Sequence, residues 1–281
     1  MSNFPPLRAA CVQFCATTDC AKNLELISAG IAQAAEQGAQ LIQLPEMANL
    51  MQVDKTLARQ ELERFSSTVF LESLQELALH YGVWLHVGSL IVPKKQAFYN
   101  RGYLIDTQGV LQGKYDKIHL FDVDLEAGES YRESTDFIGG KKAVVLDTPW
   151  GGLGMSICFD LRYPHLYQAL AESGATILTA PAAFTATTGA VHWQALIQAR
   201  AIENNALMLA CGQVGLHQDG RKTHGHSLMV DAWGRILAQG SATNFDVVIA
   251  DFDPNQPASV RKMIPTMQLK KTFRIQKRIE F

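Results

Sequence analysis

The chain has 281 residues, 47% of them hydrophobic and 19% charged, with a formal net charge of −2. That balance excludes a disordered chain, which is less apolar and more charged, and it argues against nucleic acid as a partner, since such surfaces carry a basic excess. No stretch approaches the roughly 18 consecutive apolar residues of a membrane-spanning helix, and Met1 to Leu7 lacks the basic flank and apolar run of a signal peptide.

Residues 9–14 (AACVQF) have the short apolar pattern of a buried strand. Residues 23–36 place Leu24, Ile27, Ile31, Ala34 and Ala35 at helical spacing, with Gly38 just past the end. Residues 41–44 (LIQL) form a second strand closed by Pro45, and strand, helix, strand points to an α/β layered domain. A helix over 69–80 puts Leu71, Leu74, Leu77 and Ala78 on one face, and 83–92 is apolar and β-rich. Residues 100–106 and 109–115 predict a hairpin around Thr107-Gln108-Gly109. A strand pair over 143–146 and 152–157 follows, around Pro149 and the glycines. Pro164 opens a helix over 164–172, a strand spans 175–180, and an amphipathic helix spans 191–204. Further strands are expected at 207–214, 227–231, 236–238 and 247–251.

No internal repeat, low-complexity run or linker interrupts this pattern, so one domain over 1–281 is expected. Its end is locally basic: Arg261, Lys262, Lys270, Lys271, Arg274, Lys277 and Arg278 stand against Glu280, the composition of a solvated or partner-contacting tail. The five cysteines are odd in number and irregular in spacing, which suggests no disulfide scaffold and fits a reducing cytoplasm. Cys11 and Cys211 sit inside apolar strands as small hydrophobes, while Cys15 and Cys20 lie in or beside a loop as incidental thiols.

Three segments place a reactive side chain at the end of a predicted strand, where α/β proteins build their sites. In Leu44-Pro45-Glu46-Met47, Pro45 ends the strand and leaves Glu46 at its carboxyl end. That carboxylate is either a proton shuttle with its pKa raised in a partly apolar cleft, or an ordinary surface or capping residue. Gly113 to Phe121 (GKYDKIHLF) crowds charge into an apolar neighbourhood, so that one lysine can face a cleft beside a developing oxyanion. The alternative is a solvated basic turn. In the third segment, Gly152 to Pro164, the strand runs into Cys158 just before a helix, the geometry of a nucleophile elbow. A helix N-terminus and a nearby cation would lower the thiol pKa, and the Phe159 N–H would help form an oxyanion hole. Alone, Cys158 is as readily a buried core residue.

Taken together the three segments resemble the nitrilase superfamily of carbon–nitrogen hydrolases, over roughly residues 8 to 251. The resemblance is carried by Pro45-Glu46 after the second strand, by Lys114-Tyr115-Asp116-Lys117-Ile118-His119-Leu120-Phe121 after a hairpin, and by Ile157-Cys158-Phe159-Asp160-Leu161-Arg162-Tyr163-Pro164 at the elbow. It implies a four-layer α-β-β-α sandwich and a thiol amidase acting on linear amides. It also implies a triad of Glu46 as general base, Lys117 as oxyanion stabiliser and Cys158 as nucleophile. Glu133, within Ser130-Tyr131-Arg132-Glu133-Ser134, matches the family's second glutamate, with Glu126 and Glu129 as weaker candidates. The implied reaction passes through a thioester, releases ammonia, and uses neither a metal nor an organic cofactor. Family subunits pair through helices with their C-terminal tails crossing, so a homodimer or larger homo-oligomer is expected, with a tail from about residue 255 on the partner. Pro265-Thr266-Met267-Gln268-Leu269-Lys270-Lys271 lacks the histidine of the family's tail pattern, which leaves specific tail contacts open.

Softer signals at 188–193, 198–204 and 225–234 are similar to the small-amidase branch. Within it, Gly212-Gln213-Val214-Gly215-Leu216-His217 and a turn over 220–223 look like the deaminated glutathione amidases. The implied substrate is a small keto-acid-type amide, deaminated glutathione first. The alternatives are an omega-amidase acting on 2-oxoglutaramate or 2-oxosuccinamate, a nitrilase or N-carbamoyl hydrolase, and a non-catalytic binding protein of the same fold. An anionic substrate calls for a cation, and Arg162 is the candidate, its alternative being a salt bridge with Asp160 or Glu203. Phe159, Phe184 and Thr185 are the other expected substrate neighbours; Thr188 reads as loop packing and His192 as a buried, hydrogen-bonded residue. His224 and His226 would face one side of a strand, but no third metal ligand stands at a suggestive spacing.

Overall fold

The computed structural model describes residues 4–125, 128–243 and 245–276, so Glu126, Lys277 and Arg278 lie outside the described residues. The first part of the chain holds β1 (Leu7–Gln13), α1 (Cys20–Glu36), β2 (Leu41–Gln43), α2 (Lys55–Arg64), α3 (Ser67–Tyr81), β3 (Trp84–His86), β4 (Leu90–Lys94), β5 (Ala97–Ile105) and β6 (Leu111–Asp116). A short ribbon, β7 (Asp122–Asp124) and β8 (Ser130–Arg132), precedes β9 (Val144–Thr148), β10 (Gly151–Met155), α4 (Pro164–Glu172), β11 (Ala175–Thr179), α5 (Ala186–Asn204) and β12 (Leu207–Ala210). A hairpin of β13 (Val214–Leu216) and β14 (Lys222–His224) follows, then β15 (Leu228–Val230), β16 (Ile236–Gln239), β17 (Asp246–Phe252) and α6 (Gln256–Met263).

Two mixed sheets result. One has the order β17-β1-β2-β3-β5-β4 with β6 on β5, the other β16-β15-β12-β11-β10-β9. The central strands are parallel in each, β1 with β2 and β3, and β10 with β11 and β12. Parallel strands are buried on both faces, so each sheet needs two covers. The alternation along β1 shows how this is met. Leu7, Ala9 and Cys11 pack with Leu153, Ile177 and Leu209 of the second sheet. Ala10 and Val12 face the other way, onto Ile27 and Ile31 of α1 and Phe70 and Leu74 of α3. On the far side α4 and α5 cover β10, β11 and β12. Helix, sheet, sheet, helix is the expected four-layer sandwich.

Capping explains most shifts in helix boundaries. α1 begins at Cys20 rather than at 23, because the Asp19 carboxylate accepts from the N–H groups of Ala21 (2.9 Å) and Lys22 (3.2 Å). Cys20 is therefore a buried helix residue and not a loop thiol. α5 begins at Ala186 rather than 191, because the Thr185 hydroxyl accepts from the Thr188 N–H at 3.3 Å. The single strand expected over 83–92 is broken into β3 and β4 at Gly88, whose φ is 71°. A Cβ there would lie 2.2 Å from the carbonyl oxygens of Leu44 and Pro45, so glycine is what lets the Glu46 loop cross this strand. The turn expected over 220–223 contains the start of β14. No described helix is long and apolar enough to cross a membrane.

Candidate active site

Strand direction assembles the site. β5 is antiparallel to both β3 and β6, so β6 runs the same way as β2 and β3. The carboxyl ends of β2 and β6 therefore share one edge, and deliver Glu46 and Lys117 there. In the second sheet the carboxyl ends of β10 and β11 deliver Cys158 and the Ala183–Phe184 segment. All of these residues line one cavity of about 210 Å³.

The charged centre is buried and its charges are paired. Lys117 Nζ lies 2.8 Å from Glu46 Oε1 and 2.8 Å from Glu133 Oε2. Asn100 Nδ2 donates to both carboxylates, at 2.8 Å to Glu46 Oε1 and 3.2 Å to Glu133 Oε1. The Ala183 N–H donates to Glu46 Oε2 (2.7 Å) and the Phe121 N–H to Glu133 Oε2 (2.6 Å). Glu46 and Lys117 are each only 2% exposed and Cys158 8%. Burial alone would raise Glu46, but the Lys117 charge and hydrogen bonds from Lys117, Cys158 and Ala183 hold its carboxyl below the usual range. Burial alone would likewise lower Lys117, yet Glu133 and Glu46 push it well above its usual value. The pair is a carboxylate and an ammonium.

The thiol behaves opposite to the expectation from the elbow. Burial, then the charge of Glu46, push Cys158 well above the ordinary thiol range, and Lys117 only partly opposes them. A short 3₁₀ turn, Cys158–Arg162, provides too little helix for a useful dipole, and the cation is shared with two carboxylates. The raised Glu46 expected from the sequence is wrong for the same reason: the cleft contains its counter-charge. Cys158 rests as a thiol hydrogen-bonded to an ionised Glu46.

Cys158 has φ 50°, the left-handed region, which costs a non-glycine residue about 1–2 kcal/mol. Buried Asp160 offsets this by tying the turn down. It accepts from the Ile157 N–H (2.9 Å), the Tyr115 hydroxyl (2.7 Å) and the His119 N–H (3.0 Å), so one carboxylate joins the elbow to the Lys117 loop.

Phe159, Arg162, Phe184 and Thr185 all line the cavity. Neither salt bridge weighed for Arg162 forms: Asp160 is used as above, and Glu203 is held by Arg200 at 2.7 Å. The Arg162 guanidinium lies 5.1 Å over the Phe184 ring and 5.9 Å from that of Phe159, with Nη1 3.3 Å from His192 Nδ1. His192 is exposed, not buried, because it sits on the outer side of the first turns of α5. Thr188 also lines the cavity rather than merely packing a loop; its hydroxyl is 2.8 Å from that of Thr185. Glu129 accepts from Thr187 (3.1 Å) and makes no contact with Lys117. His224 ends β14 and His226 lies beyond it with φ 52°, yet their rings meet on one side, with centroids 4.6 Å apart; no group of three metal-ligating side chains forms among the described residues.

The sequence reading missed Asn100, Arg221 and Lys222. Asn100 had a signal, a polar residue on the inward face of β5 beside Phe98. Replacing Asn100 by Leu is expected to lower kcat by at least about 100-fold, since two hydrogen bonds to charged groups, each about 1.5–3 kcal/mol, are lost. It should also shift the acid limb of the pH profile, which a purely structural residue would leave in place; steady-state kinetics across pH reads both.

The family model for carbon-nitrogen hydrolases matches residues 8–262. The deaminated glutathione amidase of Yersinia enterocolitica is 40% identical over 266 residues, covering 92% of this chain and 91% of its own. That of Synechocystis sp. (strain PCC 6803 / GT-S) is 37% identical over 268 residues, covering 94% and 97%. The crystal structure of Saccharomyces cerevisiae Nit3, a member of branch 10 of the nitrilase superfamily, is similar with a TM-score of 0.83 at 28% identity, covering 96% of this chain and 98% of that one.

Proposed function

The chain belongs to the carbon–nitrogen hydrolase family, an amide-hydrolysing family, and from that premise we infer a thiol amidase that cleaves deaminated glutathione through a Cys158 thioester. The observation that supports the chemistry is the buried Glu46–Lys117–Cys158 group; the substrate is suggested by the relatives.

Glu46 accepts the thiol proton as Cys158 Sγ attacks the amide carbon. Lys117 Nζ and the Phe159 N–H meet the oxyanion, in surroundings where water does not screen them. Glu46 then gives its proton to the leaving nitrogen, the C–N bond breaks, and a thioester remains. Water enters, Glu46 takes its proton, and hydroxide adds to the thioester carbon. Collapse releases the acid and returns the proton to Cys158. A thiol with a raised pKa suits this order, because the proton moves only as the new bond forms. The leaving group expected from the sequence needs correcting. In deaminated glutathione the scissile nitrogen belongs to the cysteinyl residue, so the product is cysteinylglycine; ammonia is released only from primary amides such as 2-oxoglutaramate.

Incubation with deaminated glutathione should yield 2-oxoglutarate and cysteinylglycine. A much higher kcat/KM on 2-oxoglutaramate would move the assignment to an omega-amidase; turnover of nitriles or carbamoyl amino acids would move it to another branch. The depressed Glu46 also sets a pH expectation. A carboxylate whose folded pKa is lowered stays ionised until pH falls through that value, so the acid limb of kcat/KM should lie below the ordinary 4.5. An acid limb near pH 6 would rule out an ionised Glu46 as the resting base. The same reading takes the chain as one domain over 1–281, acting in the cytoplasm as a homodimer or larger homo-oligomer without a cofactor; its five free cysteines suit a reducing compartment.

A further inference from the structure

The charges around the cavity do not cancel. Among its acids, Glu46 and Glu133 are committed to Lys117, and Asp136 is paired with Lys55 at 2.8 Å. Among its bases, Arg132 is held by Asp124 at 2.7 Å, and Arg221 Nε donates to Asp219 at 2.7 Å. Arg162 and Lys222 have no carboxylate partner among the described residues, and both line the cavity. They come from different elements: Arg162 from the turn that carries the nucleophile, half-buried between two rings, and Lys222 from β14, exposed at the rim. The backbone beneath Lys222 is well fixed. Thr223 bridges to Thr185, the His224 N–H donates to the Phe184 carbonyl at 2.9 Å, and Gly189 of α5 lies directly against the His224 ring. A lysine without a carboxylate partner is thus presented at the cavity rim by a strand that is itself anchored to the cavity wall.

Two uncompensated cations call for two anionic groups on the occupant. Deaminated glutathione has two carboxylates, one on each side of the scissile amide: the keto-acid carboxylate on the acyl half and the glycyl carboxylate on the leaving half. 2-Oxoglutaramate has only the first. We propose that Lys222 is a specificity residue that pairs with the carboxylate of the leaving group, while Arg162, beside the nucleophile, takes that of the acyl half. This rests on the substrate reading above. Lys222 then acts only until the C–N bond breaks; deacylation proceeds after its partner has left.

The test uses the intact protein, Lys222→Met and Lys222→Arg with two substrates, deaminated glutathione and the analogue in which the glycyl carboxylate is a carboxamide. Intact protein should prefer the free carboxylate by about fivefold in kcat/KM, mainly through KM, the size of an exposed ion pair, and less at high salt. Lys222→Met should lose that preference, and Lys222→Arg should keep most of it. Because both substrates are measured on one preparation, the ratio is independent of how much protein is folded. A Lys222→Met variant that retains the full preference would overturn the assignment of Lys222 alone. No turnover of deaminated glutathione by intact protein would overturn the substrate reading, and this assignment with it.

Discussion

Cys158→Ala is expected to lower kcat by at least about 10⁴-fold while leaving the fold in place. In the proposed mechanism Sγ is the atom that forms the bond, and no other thiol lines the cavity. The structural cost is small. Alanine and cysteine pay the same penalty at φ 50°, so elbow strain is unchanged. The variant loses the thiol hydrogen bond to Glu46, but Lys117, Asn100 and Ala183 continue to satisfy that carboxylate. Acid-quenched mass spectrometry gives the direct readout: intact protein mixed with substrate should carry the acyl increment on Cys158, and the variant none. Undiminished hydrolysis by Cys158→Ala would exclude covalent catalysis at this residue.

Lys117→Met tests the electrostatics of the same centre. Its Nζ stands between the carboxylates of Glu46 and Glu133, which also share the Asn100 amide. Removing the cation leaves two buried carboxylates with only a neutral donor between them. One of them must then take up a proton, since like charges in a desolvated site cannot both ionise. In the proposed mechanism, loss of the oxyanion partner should cost about 10²–10³ in kcat, and a protonated Glu46 would remove the base as well. Breaking the buried ion pair should lower stability by about 3–5 kcal/mol at neutral pH.

The sign of the pH dependence reverses between the two proteins. In the intact chain the depressed Glu46 pKa contributes stability that is present above the unfolded carboxylate pKa and lost as pH falls through the folded one. In Lys117→Met a carboxyl with a raised pKa contributes the opposite: stability is lost as pH rises and recovered on acidification. Thermal melts at pH 5 and pH 7.5 should therefore rank the variant more stable at pH 5, and the intact protein not. A variant with the intact protein's pH profile would show that Lys117 is not what keeps both carboxylates charged.

How legible each part was follows from the range of the interaction that decides it. The elements with a strong apolar period, β1, α1, α3 and α4, lie close to where the sequence puts them. α2 exposes most of one side and buries only Ala58 and Leu62, and the β7–β8 ribbon buries no side chain, so neither left a pattern to read. Glu46, Lys117 and Cys158 were legible because each follows a strand within a recognisable local pattern. Their protonation states were not. Those depend on Glu133, Asn100 and Ala183, which come from three other segments, and on burial that none of the local patterns records.

By itself, then, the sequence determined the layered α/β architecture, the carbon–nitrogen hydrolase family and the positions of the three reactive side chains. The architecture rests on short-range causes, periodicity of two or 3.6 with proline and glycine at turns, while the family and the three positions rest on the resemblance carried by Pro45-Glu46, the 114–121 segment and the 157–164 segment. Only the tertiary structure decided that Cys158 rests as a thiol on an ionised Glu46, that Asn100 serves both carboxylates, and that Arg162 and Lys222 are left without counter-ions. Coulombic and desolvation energies depend on distance through space and on the exclusion of water, and residues far apart in the chain meet at those distances only once both sheets have closed on each other.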